Sequence, residues 1–330
     1  MNSVLKIVFT TLLGVSCVAT PSNNSVDEPS RALSTTDSYP NAPITYIVPF
    51  APGGESDITA RFQQIAFRAK FGQDLIVSYK AGGGGAVGWS QLNSLPGDGH
   101  TIMGINLPHI IIQPLQGNIG YTADDIIPVH FFHYTPDALI VHQNSEILSL
   151  EEFVKHAKSI PGAVTLSGSG KGSANHIAKI RFDTLADIET TYVPFRGTGA
   201  AITAVLGKQV TAQWGYSSAG AAYGDQIRLL AIAMETRHPR FPNVPTFREL
   251  GYDLVSGAYR GIAVPNSTSE GLRQRLSTLM SEINKDAIFI DKMKEGGFAL
   301  IDVTYDQMDN FMAQKKREYK TAANSTGLAP

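Results

Sequence analysis

The residues able to do chemistry lie in four short loops: "APGGESD" (Ala51–Asp57), "AGGGG" (Ala81–Gly85), "SGSGKGS" (Ser167–Ser173) and "RGTG" (Arg196–Gly199). Glycine leaves backbone N–H groups accessible, and a helix starting just after such a loop adds partial positive charge, so the pattern suits an anion. A tight turn needing positive φ accounts for any one loop alone, but four are harder to explain that way. The anion is a carboxylate or a phosphate.

Gly83, Gly85 and Gly88 in "KAGGGGAVGW" spell the G-x-G-x-x-G of a dinucleotide-binding turn. That motif also needs an Asp or Glu about 20 residues further on to hold a ribose. Here the next strand pattern ends at Asn106, and the nearest acid, Asp98, precedes it. A Walker loop and a G-x-S-x-G nucleophile elbow are absent, and Ser169-Gly170-Lys171 lacks the S-x-x-K spacing. His130 and His133 flank two phenylalanines with no carboxylate companion, which fits strand-edge histidines better than metal ligands. No cofactor is called for.

The loops each follow a strand-like run. "ITYIVPF", "LIVSYK", "TIMGIN" and "ALIVHQ" are short and β-branched, and Ile58 to Phe71 between them has a helical apolar stripe. Such alternation predicts an α/β fold with mostly parallel sheets covered by helices. Ligands then sit beyond the carboxyl ends of the strands, where the loops converge. The alternation restarts after "SLEEFVKHAKSIPG", whose Ser149 is an N-cap candidate, through "AVTLSGSG", "TTYVPFRG", "VTAQWGY" and "RLLAIAM". "YRGIAVP" and helices over 269–294 and 305–323 end the chain. This order predicts two lobes, one from 41–141 plus 257–330 and one from 142–256.

The chain has 330 residues, 43% hydrophobic and 17% charged, enough for one large or two medium cores. A net charge of -2 with a pI near 6.4 offers nothing to nucleic acid or to an anionic membrane. Lys6 followed by the apolar run Ile7 to Val18 reads as a signal peptide over 1–20, with a polar disordered tether over 21–40. The run is too short to span a bilayer. Cys17, the only cysteine, stands in "LGVSC"; a lipoprotein processing site and a small residue beside ordinary cleavage remain equal alternatives. Without it the mature chain has no thiol chemistry.

In order, "ITYIVPFAPGGESDITAR", "SYKAGGGGAVGW", "LSGSGKGSANH", "YVPFRGTGAAITAVLGKQV", "RHPRFPNVPTFRELG" and "GIAVP" resemble the extracytoplasmic receptors of tripartite tricarboxylate transporters, the Bug proteins. The resemblance runs from Pro43 nearly to the C-terminus. It implies a two-lobed periplasmic-binding-protein (Venus flytrap) fold and a monomeric receptor, not an enzyme. Such a receptor captures a small carboxylate in the periplasm and presents it to membrane permease subunits.

Carried onto this sequence, the carboxylate grip comprises Pro52, Gly53, Gly54, Ser56 and Asp57 with Gly83, Gly84, Gly85 and Ala86. The second lobe adds Ser167, Ser169, Ser173, Gly197 and Thr198. An N-cap bond at the start of a helix from Ile58 explains Asp57 without ligand contact. Asn106 and His109 follow the third strand toward the cleft. Arg260 is the best-placed cation for a second carboxylate, a hinge salt bridge being its alternative role. Two positions depart from the family pattern. Gly215 and Tyr216 replace an acidic and amide pair, and Glu55 puts a charge where a small or neutral residue is usual. Pointing inward, Glu55 would repel an acid; the expectation here is that it points out as a solvated charge. Two rival readings remain: a secreted enzyme using Ser169 or Ser173, and a ligand sensor serving a signalling partner.

Overall fold

The computed structural model describes residues 39–325. The expected signal peptide, Cys17 and all of the tether before Tyr39 lie outside the described residues. Tyr39 itself is 4% exposed and donates its hydroxyl to the Gly99 carbonyl, so the packed chain already begins within the stretch expected to be tether.

Ten strands are described: β1 (Ile44–Val48), β2 (Leu75–Tyr79), β3 (Thr101–Leu107), β4 (Ile127–His142), β5 (Thr165–Gly168), β6 (Thr191–Pro194), β7 (Ala212–Tyr216), β8 (Ile227–Ile232), β9 (Gly257–Val264) and β10 (Ala299–Val303). The first lobe's sheet runs β2-β1-β3-β9-β4-β10 and the second's β6-β5-β7-β4-β8. β4 belongs to both: Ile127–Pro136 pair with β9, and from Asp137 onward the strand pairs with β7 and β8.

Each sheet is parallel only over three strands, β2-β1-β3 and β6-β5-β7. The remainder is antiparallel, so the sheets are mixed rather than mostly parallel. The reason is the path of the chain. β4 carries it out of the first lobe and β9 carries it back, and two strands running opposite ways side by side pair antiparallel.

The sequence marks only the second half of β4, because Pro128, His130, His133 and Pro136 disguise the first half. Pro128 sits beside a register shift and Pro136 where the strand changes sheet, the places a strand tolerates a missing N–H. His130 and His133 are consequently not at a strand edge. Both are fully buried, because β9 and β10 flank β4. His130 Nε2 lies 3.2 Å from Asp302 and its Nδ1 3.3 Å from the Ser277 hydroxyl. His133 is held far below the usual histidine pKa by burial, with the Arg260 charge adding to it. Among the described residues no group of three His, Cys, Asp or Glu could hold a metal.

Separate cores support the two lobes. Tyr46, Phe67, Trp89, Ile105, Phe131 and Leu279 anchor the first. In the second, Phe153, Phe182, Trp214 and Phe247 pack together, the last two stacked at 5.4 Å. Ser149 caps the helix Leu150–Ser159 by accepting from the Glu152 amide at 3.1 Å.

Candidate functional site

β1 ends under Phe50, and the turn through Gly53, at φ +80°, feeds the helix Glu55–Phe71. That helix begins three residues before Ile58, so Asp57 is not its N-cap. The cap residue is Gly54, and Asp57 sits in the first turn with Oδ2 accepting from the Gly53 amide at 2.8 Å. Its Oδ1 accepts from the Tyr79 hydroxyl at 2.7 Å and pairs with Arg61 at 2.9 Å. Asp57 therefore fixes the turn from behind.

One pocket where the lobes meet is lined by Phe50, Gly54, Glu55, Ser56, Asn106, His109 and Arg260 from the first lobe. Ser169, Thr198 and Tyr216 line it from the second. Nine of these ten are candidates from the sequence. The space left between them is about 10 Å³, room for about one water molecule.

Glu55 overturns the expectation of an outward charge. It is 5% exposed, its Oε2 lies 2.5 Å from Arg260 Nη2, and the Ser218 hydroxyl donates to its Oε1. An unpaired carboxylate could not be buried so deeply, and Arg260, itself 3% exposed, supplies the opposite charge. Burial pushes the Glu55 pKa up and Arg260 opposes that rise. The guanidinium also lies 4.5 Å over the Tyr216 ring, so the pair built within the first lobe is touched by Ser218 and Tyr216 of the second. His109, fully buried with neither ring nitrogen hydrogen-bonded, is lowered to about 3 by burial and by Arg260, and is neutral. Asp137, where β4 changes sheet, is raised to about 7 by burial; its Oδ1 accepts from Asn175 at 3.1 Å.

The glycine loops meet each other across the cleft. A Cβ on Gly170 would come within 2.7 Å of Gly84 Cα, and one on Gly199 within 2.7 Å of the Gly53 carbonyl carbon. The Ala51 amide donates to the Arg196 carbonyl at 3.0 Å, and Gln113 Nε2 donates to the Gly84 and Lys171 carbonyls at 3.0 and 3.2 Å. Glycine at these positions lets the two backbones approach to contact.

Other sequence candidates stand apart from the central pocket. Gly83, Gly84 and Ala86 line an outer pocket with Gly170 and Lys171, and Gly53 lines a different cavity. Gly85 faces the Trp89 ring. Pro52 is exposed and lines none of these pockets. Gly197 packs on Ala51. Ser167 donates to the Ala201 carbonyl at 3.0 Å. Ser173 caps the helix Ala174–Ala186, and Ser169 donates to Asn175 Oδ1 at 2.7 Å. Among the described residues no histidine ring hydrogen-bonds either serine hydroxyl. Phe50, Gln113 and Ser218 were not among the sequence candidates. Only Ser218 carried a signal, being a hydroxyl just past the end of a strand.

The model of the tripartite tricarboxylate transporter family receptor matches residues 59–328. A Pseudomonas sp. (strain P51) protein described as "UPF0065 protein in tcbD-tcbE intergenic region" is 30% identical over 257 residues, 76% of this chain and 75% of its own. The structure of the periplasmic binding protein BugD superposes with a TM-score of 0.83 at 23% identity, covering 88% of this chain and 99% of its own. MatC (Rpa3494) from Rhodopseudomonas palustris, with bound malate, gives 0.79 at 23% identity, covering 86% and 99%. The two superpositions show a shared two-lobed binding-protein fold.

Proposed function

This chain belongs to the tripartite tricarboxylate transporter receptor family, and on that footing we propose that it captures a small organic acid between its lobes for the membrane permease subunits of such a transporter. The receptor works in the periplasm as a monomer, exported by residues 1–20, its two lobes dividing at Asp137, where β4 changes sheet, rather than after residue 141, and again at Gly257, where β9 begins. The observation carrying this reading is the central pocket, where polar groups from both lobes converge. Malate in the MatC neighbour supports an acid as ligand class. Closure follows from the glycine contacts: a ligand touching both lobes favours the state in which they meet.

A thermal-shift screen of small carboxylates against their uncharged amides tests this. A ligand that binds only the folded state raises its apparent stability with concentration. Carboxylates are expected to raise the melting temperature and their amides to leave it unchanged. Equal shifts from both, or none from any carboxylate, would overturn the reading.

A further inference from the structure

A second cavity of about 390 Å³ lies between the lobes on the far side of Glu55, sharing Glu55, Thr198 and Tyr216 with the central pocket. We infer that this cavity holds the body of the ligand, and that the ligand is a monocarboxylate carrying an aryl or alkyl group. The inference rests on the reading above that the cleft takes an organic acid.

Size is the first argument. The central pocket leaves space for about one water, whereas an apolar cavity of about 150 Å³ is enough for benzene. The larger cavity is walled by Ile58, Phe62 and Phe298 of the first lobe and by Ile202, Ala219 and Ala222 of the second. A group lying there buries apolar surface against both lobes at once, at about 25 cal/mol per Å² removed from water.

Charge gives the orientation. Arg260 is already matched by Glu55 and offers no net attraction to a carboxylate. Arg240 from the loop after β8 and Lys292 from the helix Ala287–Glu295 also line the cavity, one from each lobe. Neither is in ion-pair contact with a carboxylate among the described residues. Lys292 lies 5.6 Å over the Phe62 ring, and Glu295, also lining the cavity, pairs with neither cation. At the end shared with the central pocket the only cation among the described residues, Arg260, is already paired with Glu55. Gln213 Nε2 donates to the Thr198 carbonyl at 3.3 Å, leaving its buried Oε1 without a partner. A second carboxylate there would find no unmatched cation, which disfavours succinate or citrate.

Calorimetry with phenylacetate, hexanoate, succinate and citrate on the full chain tests the inference, together with two variants. Phenylacetate or hexanoate is expected to bind at least about tenfold more tightly than succinate or citrate. Ala222→Trp, at an exposed helix position on the cavity wall, should remove that advantage with an unchanged melting temperature. Lys292→Met, which keeps the apolar stem, should weaken the preferred acid by about tenfold. Tighter binding of succinate or citrate, or preferred binding unaffected by both variants, overturns this inference while leaving the receptor reading intact. Binding by none of the four acids overturns the inference; the receptor reading falls only if the wider carboxylate screen also fails.

Discussion

Replacing Arg260 by Met removes the ion-pair partner of the buried Glu55 carboxylate. The guanidinium lies 2.5 Å from Glu55 Oε2, 3.3 Å from the Ala258 carbonyl and 4.5 Å over the Tyr216 ring. Stripping one member from a buried pair costs about 3–5 kcal/mol, because the other is left uncompensated. At about 2–4 °C per kcal/mol for chains somewhat smaller than this one, the expected fall in melting temperature at pH 7 is roughly 10 °C. The pH dependence identifies the cause. Without Arg260, only hydrogen bonds from Ser218 and Thr135 still oppose the rise that burial imposes on the Glu55 pKa, so the folded state takes up a proton before the unfolded chain does. The penalty is then largest above the raised pKa and fades as pH falls toward the unfolded value of about 4.3. Thermal unfolding of the ligand-free protein between pH 4.5 and 8 measures this. Adding Glu55→Gln to Arg260→Met should restore most of the loss at pH 7, since a charge-free pair leaves no ion to desolvate. A melting temperature within 1 °C of the parent, or a penalty that grows as pH falls, would refute the buried pair; 1 °C is roughly the effect of a few tenths of a kcal/mol.

Two further outcomes follow from the same geometry. Asp137, raised to about 7 by burial, takes stability away as pH rises from about 4 to 7, so Asp137→Asn should be more stable than the parent by up to about 4 kcal/mol at pH 7.5 and indistinguishable near pH 4 in urea unfolding. Gly199→Ala, inside the helix Thr198–Leu206, should leave the melting temperature equal or higher, because alanine favours helix by about 1 kcal/mol over glycine. Its Cβ nevertheless meets the Gly53 backbone at 2.7 Å, so acid affinity by calorimetry should fall at least about tenfold.

What the sequence reveals and conceals divides by the range of the interactions involved. The parallel strands and the Ser149 cap are local patterns, and both are read correctly from residue type and spacing. The first half of β4 is hidden because prolines and histidines contradict a strand unless its neighbours and register shifts are known. At the site, order along the chain brings together Gly54, Ser56, Asn106, His109, Ser169 and Thr198, since loops after strands share one end of a sheet. The orientation of Glu55 is illegible for the opposite reason. It is decided by Ser218, 163 residues away, and by Arg260 on the returning strand; the sequence offers a salt bridge as one role for Arg260 but does not mark Glu55 as its partner. The glycines were legible as special backbone positions, but not as contacts between lobes.

Amide hydrogen exchange with the tightest-binding acid most directly tests capture between the lobes. Binding is expected to slow exchange on both sides of the cleft, at residues 51–56 and at residues 196–199. Slowing confined to one of these segments, or protection elsewhere with both unchanged, would contradict it.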